Sequence, residues 1–543
     1  MNDDVTPLYE QPEIQARRWF LLGVMCLSLV MVVMSVSGLN VAIPTLQESL
    51  GATATDLQWI VDSYAIVFAG LLLSAGAIGD RFGRKRALQY GLLVFLVGSL
   101  IGTVAGSVEL VILSRTVSGI GAAFIMPATL SIISAVFPPY ERTKAIAIWA
   151  GFAGAGGALG PLIVGFLITD WWVFPAYWWG SAFLVNVVAS ALVLVAVTVY
   201  SPRSKDTDAT PLDPAGAALS IVGFAALLYG IIEGPVQGWT SVEVVAAFVV
   251  AVVTLVGFVG WELRQGHPML PMSYFRDRGF SLGTGVITFG FLVMFGFFFV
   301  FTQLLQFVRG YSPLDAGVAT LPLAVTLVLV SPRSAALGER FGPGVIMAAG
   351  FGFVVAGMAL MSTIDRQSNY LVIALALVLL GAGMGITIAP ATGSIMSAVP
   401  LNKAGVGSAV NDTTREVGGA LGIAVLGSIA NATYRNNIDA DALAALPGEA
   451  ADVVEESVGG ALAVAAQAPS PDLADRLTDT ARSAFESATS ATFLSAACVA
   501  AVAGVAVYVV GRNYRPDLGH AAHRAGAPAP AAGEEVPENE ATP

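Results

Sequence analysis

Long apolar stretches recur along the whole chain and constrain its fold more than any other feature. Fourteen of them are long enough for an α-helix to cross the hydrocarbon core of a bilayer, which takes about 20 residues. They lie at approximately 19–43, 58–78, 88–106, 109–136, 145–169, 178–199, 213–233, 242–262, 280–306, 314–337, 343–362, 370–397, 405–432 and 489–511. The pattern therefore predicts an all-α integral membrane protein with fourteen transmembrane helices.

The composition excludes several other classes of protein. Apolar residues make up 56% of the 543 residues and charged residues only 12%, about half the charged share of an average soluble domain. A disordered, fibrous or nucleic-acid-binding protein is therefore excluded. Two cysteines and three histidines are too few for a disulfide framework or for a metal centre built on thiolate or imidazole ligands, so no metal site is expected.

The basic residues predict the orientation in the membrane. If the N terminus is cytoplasmic, nineteen of the 26 Lys and Arg residues fall in inner loops and tails, five in outer loops and two inside spans. Basic residues accumulate on the cytoplasmic side of membrane proteins. We therefore expect a multi-pass protein of the inner (plasma) membrane with both termini in the cytoplasm.

Three motifs recur in the same order at an offset of about 260 residues, which indicates a duplicated unit. Residues 79–83 (GDRFG) recur as 338–342 (GERFG), 127–136 (PATLSIISAV) as 390–399 (PATGSIMSAV), and 156–160 (GGALG) as 418–422 (GGALG). Spans 1–6 thus match spans 9–14, and spans 7 and 8 are an inserted pair. Parallel six-helix halves with a substrate site between them are typical of rocking-bundle transporters.

This repeat predicts the domain boundaries. They are a cytoplasmic tail at 1–18, an N-terminal six-helix bundle at 19–199, a linker with two inserted helices at 200–279, a C-terminal six-helix bundle at 280–511 that includes an outer helical-hairpin loop at 433–488, and a disordered cytoplasmic tail at 512–543.

Three motifs place special residue types in or between spans. The loop after span 2 holds Gly79, Asp80, Arg81, Gly83 and Arg84; its glycines permit a tight reversal, and its aspartate can meet a helix N terminus. Span 4 contains Arg115, a cation that must face a cavity or a partner in lipid. Span 5 carries small residues that allow close helix approach, together with a helix-bending proline: Gly156, Gly160, Pro161 and Gly165.

These motifs, with the segments 40–44, 57–64 and 310–317, resemble the fourteen-span drug:proton antiporter-2 family of the major facilitator superfamily. The resemblance covers roughly residues 15–512 and is closest to quaternary-ammonium and antibiotic exporters. It implies that the loop after span 2 is a conformational latch, that Arg115 is linked to proton transfer, and that span 5 carries an antiporter motif. Two positions depart from the family pattern: Val164 stands where a second Gly is usual, and Ser35 where many relatives carry an Asp.

A proton-coupled exporter needs carboxyl groups that titrate in a low-dielectric cavity. The candidates inside spans are Asp62 on span 2, Glu233 at the end of span 7, and Asp412 and Glu416 on one face of span 13 beside Arg415. We expect Asp62, Asp412 and Glu416 to carry proton exchange, with Arg115 and Arg415 tuning them. Glu233 could equally lie in the membrane interface, and the span-13 group could be a structural ion pair.

Aromatic faces attract lipophilic cations, and span 9 is crowded with phenylalanines. The candidate substrate-binding residues are Phe295, Phe299, Gln303 and Gln306 on span 9, with Trp59 and Tyr64 on span 2. Phenylalanines that simply face lipid are an equally good interpretation of this pattern.

The expected function is proton-coupled efflux of hydrophobic, often cationic compounds by alternating access, a form of multidrug and antibiotic resistance. The alternative is a dedicated exporter of one endogenous metabolite, lipid or antibiotic. No catalytic cluster of polar residues appears, so an enzyme is not expected. We expect a monomer that uses the proton gradient, has no cofactor and contacts small drugs and the bilayer.

Overall fold

Helices dominate the computed structural model, which describes residues 7–168, 179–204, 213–439, 443 and 446–514. Thirteen helices in these ranges are long and apolar enough to cross a membrane, and Pro139–Ile168 is a further 30-residue helix. Each of the fourteen predicted apolar stretches overlaps one of these helices, and the described residues contain no strand. The all-α membrane fold is confirmed, while the count of fourteen crossings stays a prediction.

The described part of the N-terminal group contains seven α-helices, because the first predicted span is divided in two at Gly38. They are α1 (Pro12–Ser37), α2 (Leu39–Leu50), α3 (Ala54–Phe82), α4 (Arg84–Val104), α5 (Val108–Val136), α6 (Pro139–Ile168) and α7 (Ser181–Tyr200).

The remaining helices comprise the inserted pair and the C-terminal group. The inserted pair is α8 (Pro214–Gln237) and α9 (Val242–Glu262). The C-terminal group is α10 (Arg278–Gln303), α11 (Pro313–Ala319), α12 (Leu321–Phe341), α13 (Pro343–Met361), α14 (Tyr370–Ala398), α15 (Ala404–Asn437), α16 (Gly448–Glu456), α17 (Val458–Ala466) and α18 (Pro471–Gly511). A π-helical turn at Leu304–Val308 follows α10.

Equivalent helices pack in equivalent pairs in the two halves. In the N-terminal half α5 packs on α3 and α4, α6 on α1, and α7 on α4. In the C-terminal half α14 packs on α12 and α13, α15 on α10, and α18 on α13. The repeat in the sequence therefore corresponds to a repeated packing arrangement.

The two halves meet along two contacts that this repeat relates to each other. Helix α3 packs against α15, and its counterpart α12 packs against α6, the counterpart of α15. Small residues permit the first contact, since a Cβ atom added to Gly76 would lie 2.5 Å from the carbonyl oxygen of Gly405. Helix α8 packs on both α3 and α15, so the inserted pair borders the contact between the halves.

The loop at 433–488 differs from a simple helical hairpin. Its first part forms the short helices α16 and α17, which are separated at Ser457. Its second part, predicted as a separate arm, continues without a break into the last span as the 41-residue helix α18. Pro471 begins this helix at a position where a missing N–H costs nothing. Residues 515–543, the greater part of the tail predicted at 512–543, lie outside the described residues.

Candidate functional site

The loop between α3 and α4 joins the two halves of the protein. Both oxygens of the Asp80 carboxylate accept hydrogen bonds from the N terminus of α15, from Gly405 N at 2.9 Å and Val406 N at 3.1 Å. Arg84 donates from Nε to Asp80 Oδ1 at 3.1 Å and from Nη2 to the carbonyl oxygen of Leu401. Asp80 and Arg84 are both buried. The aspartate thus meets a helix N terminus, where the helix dipole favours an anion.

The repeated loop in the C-terminal half has the same turn but a different environment. Gly83 and Gly342 end their helices with φ of 108° and 90°, a region that favours glycine. In the first copy, a Cβ atom added to Gly79 would lie 3.4 Å from the side chain of Ala87, and the Arg81 guanidinium lies over the ring of Phe82. Glu339, the counterpart of Asp80, is exposed. Only the first copy of the motif therefore has a buried acidic residue.

Arg115 is buried in the N-terminal half and is held by residues of two other helices, α1 and α3. Its Nε donates to the carbonyl oxygen of Ile60 at 3.1 Å, and its Nη1 donates to Ser35 Oγ at 3.1 Å and Ser35 O at 3.3 Å. Its guanidinium lies 4.2 Å from the ring centroid of Tyr64, and Nη2 has no hydrogen-bond partner. No carboxylate within the described ranges forms an ion pair with Arg115, so it does not tune an acidic residue by direct pairing.

Replacing Arg115 with lysine is expected to lower transport about tenfold or more, because one ammonium group cannot reach Ile60, Ser35 and the Tyr64 ring together. Ser35→Ala is the matched control: the backbone oxygen of residue 35 remains, so the loss is about 1 kcal/mol. Initial transport rates in proteoliposomes measure both. Equal rates for Arg115→Lys and the parent protein would contradict this role.

A second buried cation lies on α15 between two carboxylates. Arg415 Nη2 is 3.5 Å from Asp412 Oδ1, and Arg415 Nε is 3.4 Å from Glu416 Oε1. The guanidinium also lies 5.6 Å from the ring centroid of Phe291 on α10. The Asp412 side chain is 0% exposed, whereas that of Glu416 is 21% exposed. The cluster therefore contains one fully buried and one partly exposed carboxylate.

Tyr64 connects this cluster to the N-terminal half. It is buried on α3 beneath Arg115, and the charges of both Glu416 and Arg415 act on it. Both buried arginines thus lie close enough to Tyr64 for their charges to act on it.

Asp62 and Glu233 belong to a separate group. Glu233 acts electrostatically on Asp62 and accepts a hydrogen bond from Gln237 Nε2 at 2.7 Å. Sequence reasoning grouped Asp62 with Asp412 and Glu416, but the structure places it beside the inserted helix α8.

The span-5 motif packs α6 against the junction of α1 and α2. Ser37 Oγ donates to the carbonyl oxygen of Gly156 at 3.3 Å. A Cβ on Gly160 would overlap Ser37 Oγ and lie 2.7 Å from Gly38 N. Val164, which departs from the family pattern, packs on Gly38. Gly165 also lies on α6.

The same motif reaches the C-terminal half through Pro161. A Cβ added to Gly317 of α11 would lie 3.5 Å from Pro161 Cβ. The motif therefore contacts both halves near one end of the bundle.

Replacing Gly160 with alanine is expected to destabilise the protein by about 1–3 kcal/mol, because Ser37 Oγ and backbone atoms of Met34 and Gly38 block the new methyl group. Gly157→Ala is the matched control in the same motif, since a Cβ there meets no atom within 4 Å. Thermal unfolding in detergent compares the two variants. Equal unfolding temperatures would contradict close packing at Gly160.

The aromatic candidates have different environments. Phe295 packs on Gly419 and on Phe291, which places it next to the Arg415 cluster. Phe299 is 42% exposed and packs on Gly427. Gln303 donates to the carbonyl oxygen of Phe299 at 3.1 Å, so one N–H of its amide is bonded to its own helix. Gln306 lies in the π-helical turn, and Trp59 on α3 is 40% exposed.

Several polar partners were not found from the sequence. Ser35 was noted only as a missing acid, yet it holds Arg115. Asn411 donates to Asp412 Oδ1 at 3.3 Å and accepts from Thr392 Oγ1 at 3.0 Å. Gln237, which holds Glu233, could have been found from its spacing of four residues on a helix.

Comparison with known proteins identifies the family. The family model described as Major Facilitator Superfamily matches residues 25–423. The human organic anion transporter MFSD10 (TETRAN) has the same fold, with a TM-score of 0.60 over 92% of this chain and 100% of that chain at 14% identity.

Three relatives are similar over most of their length. The multidrug efflux pump LfrA of Mycolicibacterium smegmatis is 35% identical over 90% of this chain and 96% of its own. The tetracenomycin C resistance and export protein of Streptomyces glaucescens is 31% identical over 93% of each chain. The methyl viologen resistance protein SmvA of Salmonella typhimurium is 31% identical over 86% of this chain and 93% of its own. With its family model, fold and relatives in agreement, the chain belongs to the major facilitator superfamily of membrane transporters.

Proposed function

We propose that this protein is a proton-coupled multidrug exporter that moves hydrophobic, often cationic compounds out of the cell by alternating access. The observation that supports this most strongly is the Asp412–Arg415–Glu416 cluster at the contact between the halves. Buried acids in a membrane protein are expensive and are typical of proton relays. Relatives named as multidrug efflux and resistance proteins give the same function class.

The two carboxylates of the cluster have complementary roles in this proposal. Glu416 is reached by water through its accessible face and takes up or releases the proton. Asp412 stays sealed and keeps Arg415 in place when Glu416 is neutral. Cargo that carries a positive charge competes with the proton for the Glu416 carboxylate, and this competition couples the two flows.

The latch couples the site to the movement of the halves. In this conformation the hydrogen bonds of Asp80 hold α3 to the N terminus of α15. We place this end of the bundle in the cytoplasm, because the basic loops lie there. Breaking the latch lets the halves rock and opens the site inward, and the packing of α6 on α1 and α2 guides that movement.

The other parts of the proposal follow from the sequence. Both termini are cytoplasmic, the fourteen helices cross the inner membrane, and the protein works as a monomer. The proton gradient is the only energy source, without a cofactor. Phe295, Phe299, Gln303, Gln306, Trp59 and Tyr64 are proposed to contact cargo.

Export of one endogenous antibiotic is the second candidate. It is favoured by the similarity to a protein named for tetracenomycin C resistance and export. A drug-susceptibility panel distinguishes an exporter with a wide cargo range from an exporter of a single compound.

A drug-susceptibility panel in a host that lacks its own pumps tests this function. Expression is expected to raise the inhibitory concentration of several lipophilic cations, and a protonophore is expected to remove the protection. Protection against one compound only would favour the dedicated exporter. Protection that persists with the protonophore would contradict proton coupling.

A further inference from the structure

The contact between α3 and the inserted helix α8 brings two carboxyl groups together. Gly70 of α3 packs on α8, where a Cβ atom added to the glycine would lie 3.3 Å from Ile221 O and 3.5 Å from Ala225 Cβ. Asp62 lies eight residues before Gly70 on α3, and Glu233 lies eight residues after Ala225 on α8. The charge of Glu233 acts on Asp62. One carboxyl comes from the repeated bundle and the other from the inserted pair.

Both carboxyl groups are buried and neither is neutralised. Asp62 is 8% and Glu233 5% exposed. Asp62 Oδ2 has no hydrogen-bond partner, and Glu233 accepts a hydrogen bond from the uncharged amide of Gln237. No ion pair of either group occurs in the part of the chain that the structure describes.

The buried arginines of two neighbouring helices, α5 and α15, are engaged elsewhere. Helices α5 and α15 pack on α3, and α15 also packs on α8. Arg115 of α5 is held by Ser35, Ile60 and Tyr64. On α15, Arg415 is held by Asp412 and Glu416. Glu233 and the amide of Gln58 are the side chains that act on Asp62.

Aromatic rings border the two carboxyl groups. Trp59 precedes Asp62 by three residues and Tyr229 precedes Glu233 by four, so each ring lies on the same helix face as its acid. The two ring centroids are 6.3 Å apart. Trp59 is 40% exposed, which leaves its ring available to a ligand. Aromatic faces next to carboxylates are a favourable environment for an organic cation.

We propose that Asp62 and Glu233 form a cation-binding site between the N-terminal bundle and the inserted pair, which takes up one lipophilic monocation in exchange for one proton. This rests on the exporter function proposed above, and it gives the inserted pair a part in cargo recognition. The site is distinct from the Arg415 cluster, because it contains two acids and no base.

Charge balance supports the exchange. Two carboxylates in one low-dielectric site do not both ionise without a compensating cation. Without cargo the pair holds one proton and has a net charge of −1. When a monocation binds, the proton leaves to water, and two carboxylates with one cation again have a net charge of −1. The buried site therefore keeps its charge through the exchange.

Calorimetry on the full chain in lipid nanodiscs tests the site with two matched probes. Tetraphenylphosphonium is a lipophilic monocation, and triphenylphosphine oxide is an uncharged analogue. Titration in two buffers of different ionisation enthalpy gives the protons released per bound cation. Glu233→Gln is expected to weaken cation binding about tenfold or more and to lower proton release by about one, with no change for the uncharged probe. Glu243→Gln, an exposed acid on the inserted pair, should behave like the parent protein.

A second variant approaches the pair from the other helix. Asp62→Asn is expected to give the same loss as Glu233→Gln, and the double variant little further loss, because the two groups act as one unit. Unchanged cation affinity and proton release in Glu233→Gln would overturn the proposal. Equal weakening of the charged and uncharged probes would overturn it as well, since that result indicates a change of shape instead of charge.

Transport by the parent protein separates this proposal from the proposed function. If proteoliposomes under an imposed pH difference move no cargo, the exporter function fails. If they move cargo, but the Glu233→Gln variant binds the cation with the affinity of the parent protein and releases as many protons, the exporter function stands and the cation site alone is overturned.

Discussion

Neutralising both carboxylates of α15, in an Asp412→Asn, Glu416→Gln double variant, is expected to lower proton-driven transport at least about 100-fold. Cargo-for-cargo exchange should continue, because it needs the halves to rock but needs no proton. The physical reason is that the variant has no group beside Arg415 that can change its charge. Both activities are measured in the same proteoliposomes, with and without an imposed pH difference.

Stability must be separated from coupling in this experiment, because the double variant leaves Arg415 buried without an anion. Such an unpaired charge costs about 3–5 kcal/mol. Adding Arg415→Met removes that charge, so the triple variant should recover thermal stability without recovering proton-driven transport.

Asp479→Asn is a control, since this acid is 71% exposed and pairs with Arg366 at the surface, where ion pairs contribute little. Proton-driven transport that survives in a variant carrying Asp62→Asn, Asp412→Asn and Glu416→Gln would contradict the assignment.

Replacing Asp80 with alanine is expected to shift the protein away from the conformation described above and to lower transport about tenfold or more. The change removes the acceptor of two backbone N–H groups and leaves the Arg84 guanidinium buried, and each hydrogen bond to a charged group contributes about 1.5–3 kcal/mol. Distances between spin labels on the ends of α3 and α15 measure the shift, and we expect a broader and longer distribution in the variant.

The repeat supplies a matched control for the latch. Glu339 occupies the equivalent position in the C-terminal half but is exposed, so Glu339→Ala should change neither the distances nor the transport rate. If Asp80→Ala and Glu339→Ala have the same small effect, the hydrogen bonds at Gly405 and Val406 do not control the movement of the halves.

The sequence predicted most of the fold because lipid imposes a simple rule on it. A stretch of about 20 apolar residues has to form a helix in hydrocarbon, and the offset between the repeated motifs relates the two halves. The start of α18 was predicted less well. The helix begins at Pro471 with a polar segment that continues into the last span, and a search for apolar stretches does not detect a polar helical segment.

The candidate site was predicted in part, because some contacts are local and others are not. Asp412, Arg415 and Glu416 are neighbours on one helix, so spacing alone brings them together. The partners of Arg115 come from two other helices, and the neighbour of Asp62 comes from the inserted pair. Which helices lie side by side depends on packing throughout the bundle, and neither periodicity nor motif spacing contains that information.

Simultaneous recording of cargo and protons across proteoliposome membranes, after a pH difference is imposed, tests the central claim most directly. The account predicts that cargo accumulates against its gradient while protons flow in the opposite direction in a fixed ratio, and that both flows stop when the pH difference is collapsed. Cargo movement without proton movement, or no cargo movement by folded protein under the pH difference, would contradict it.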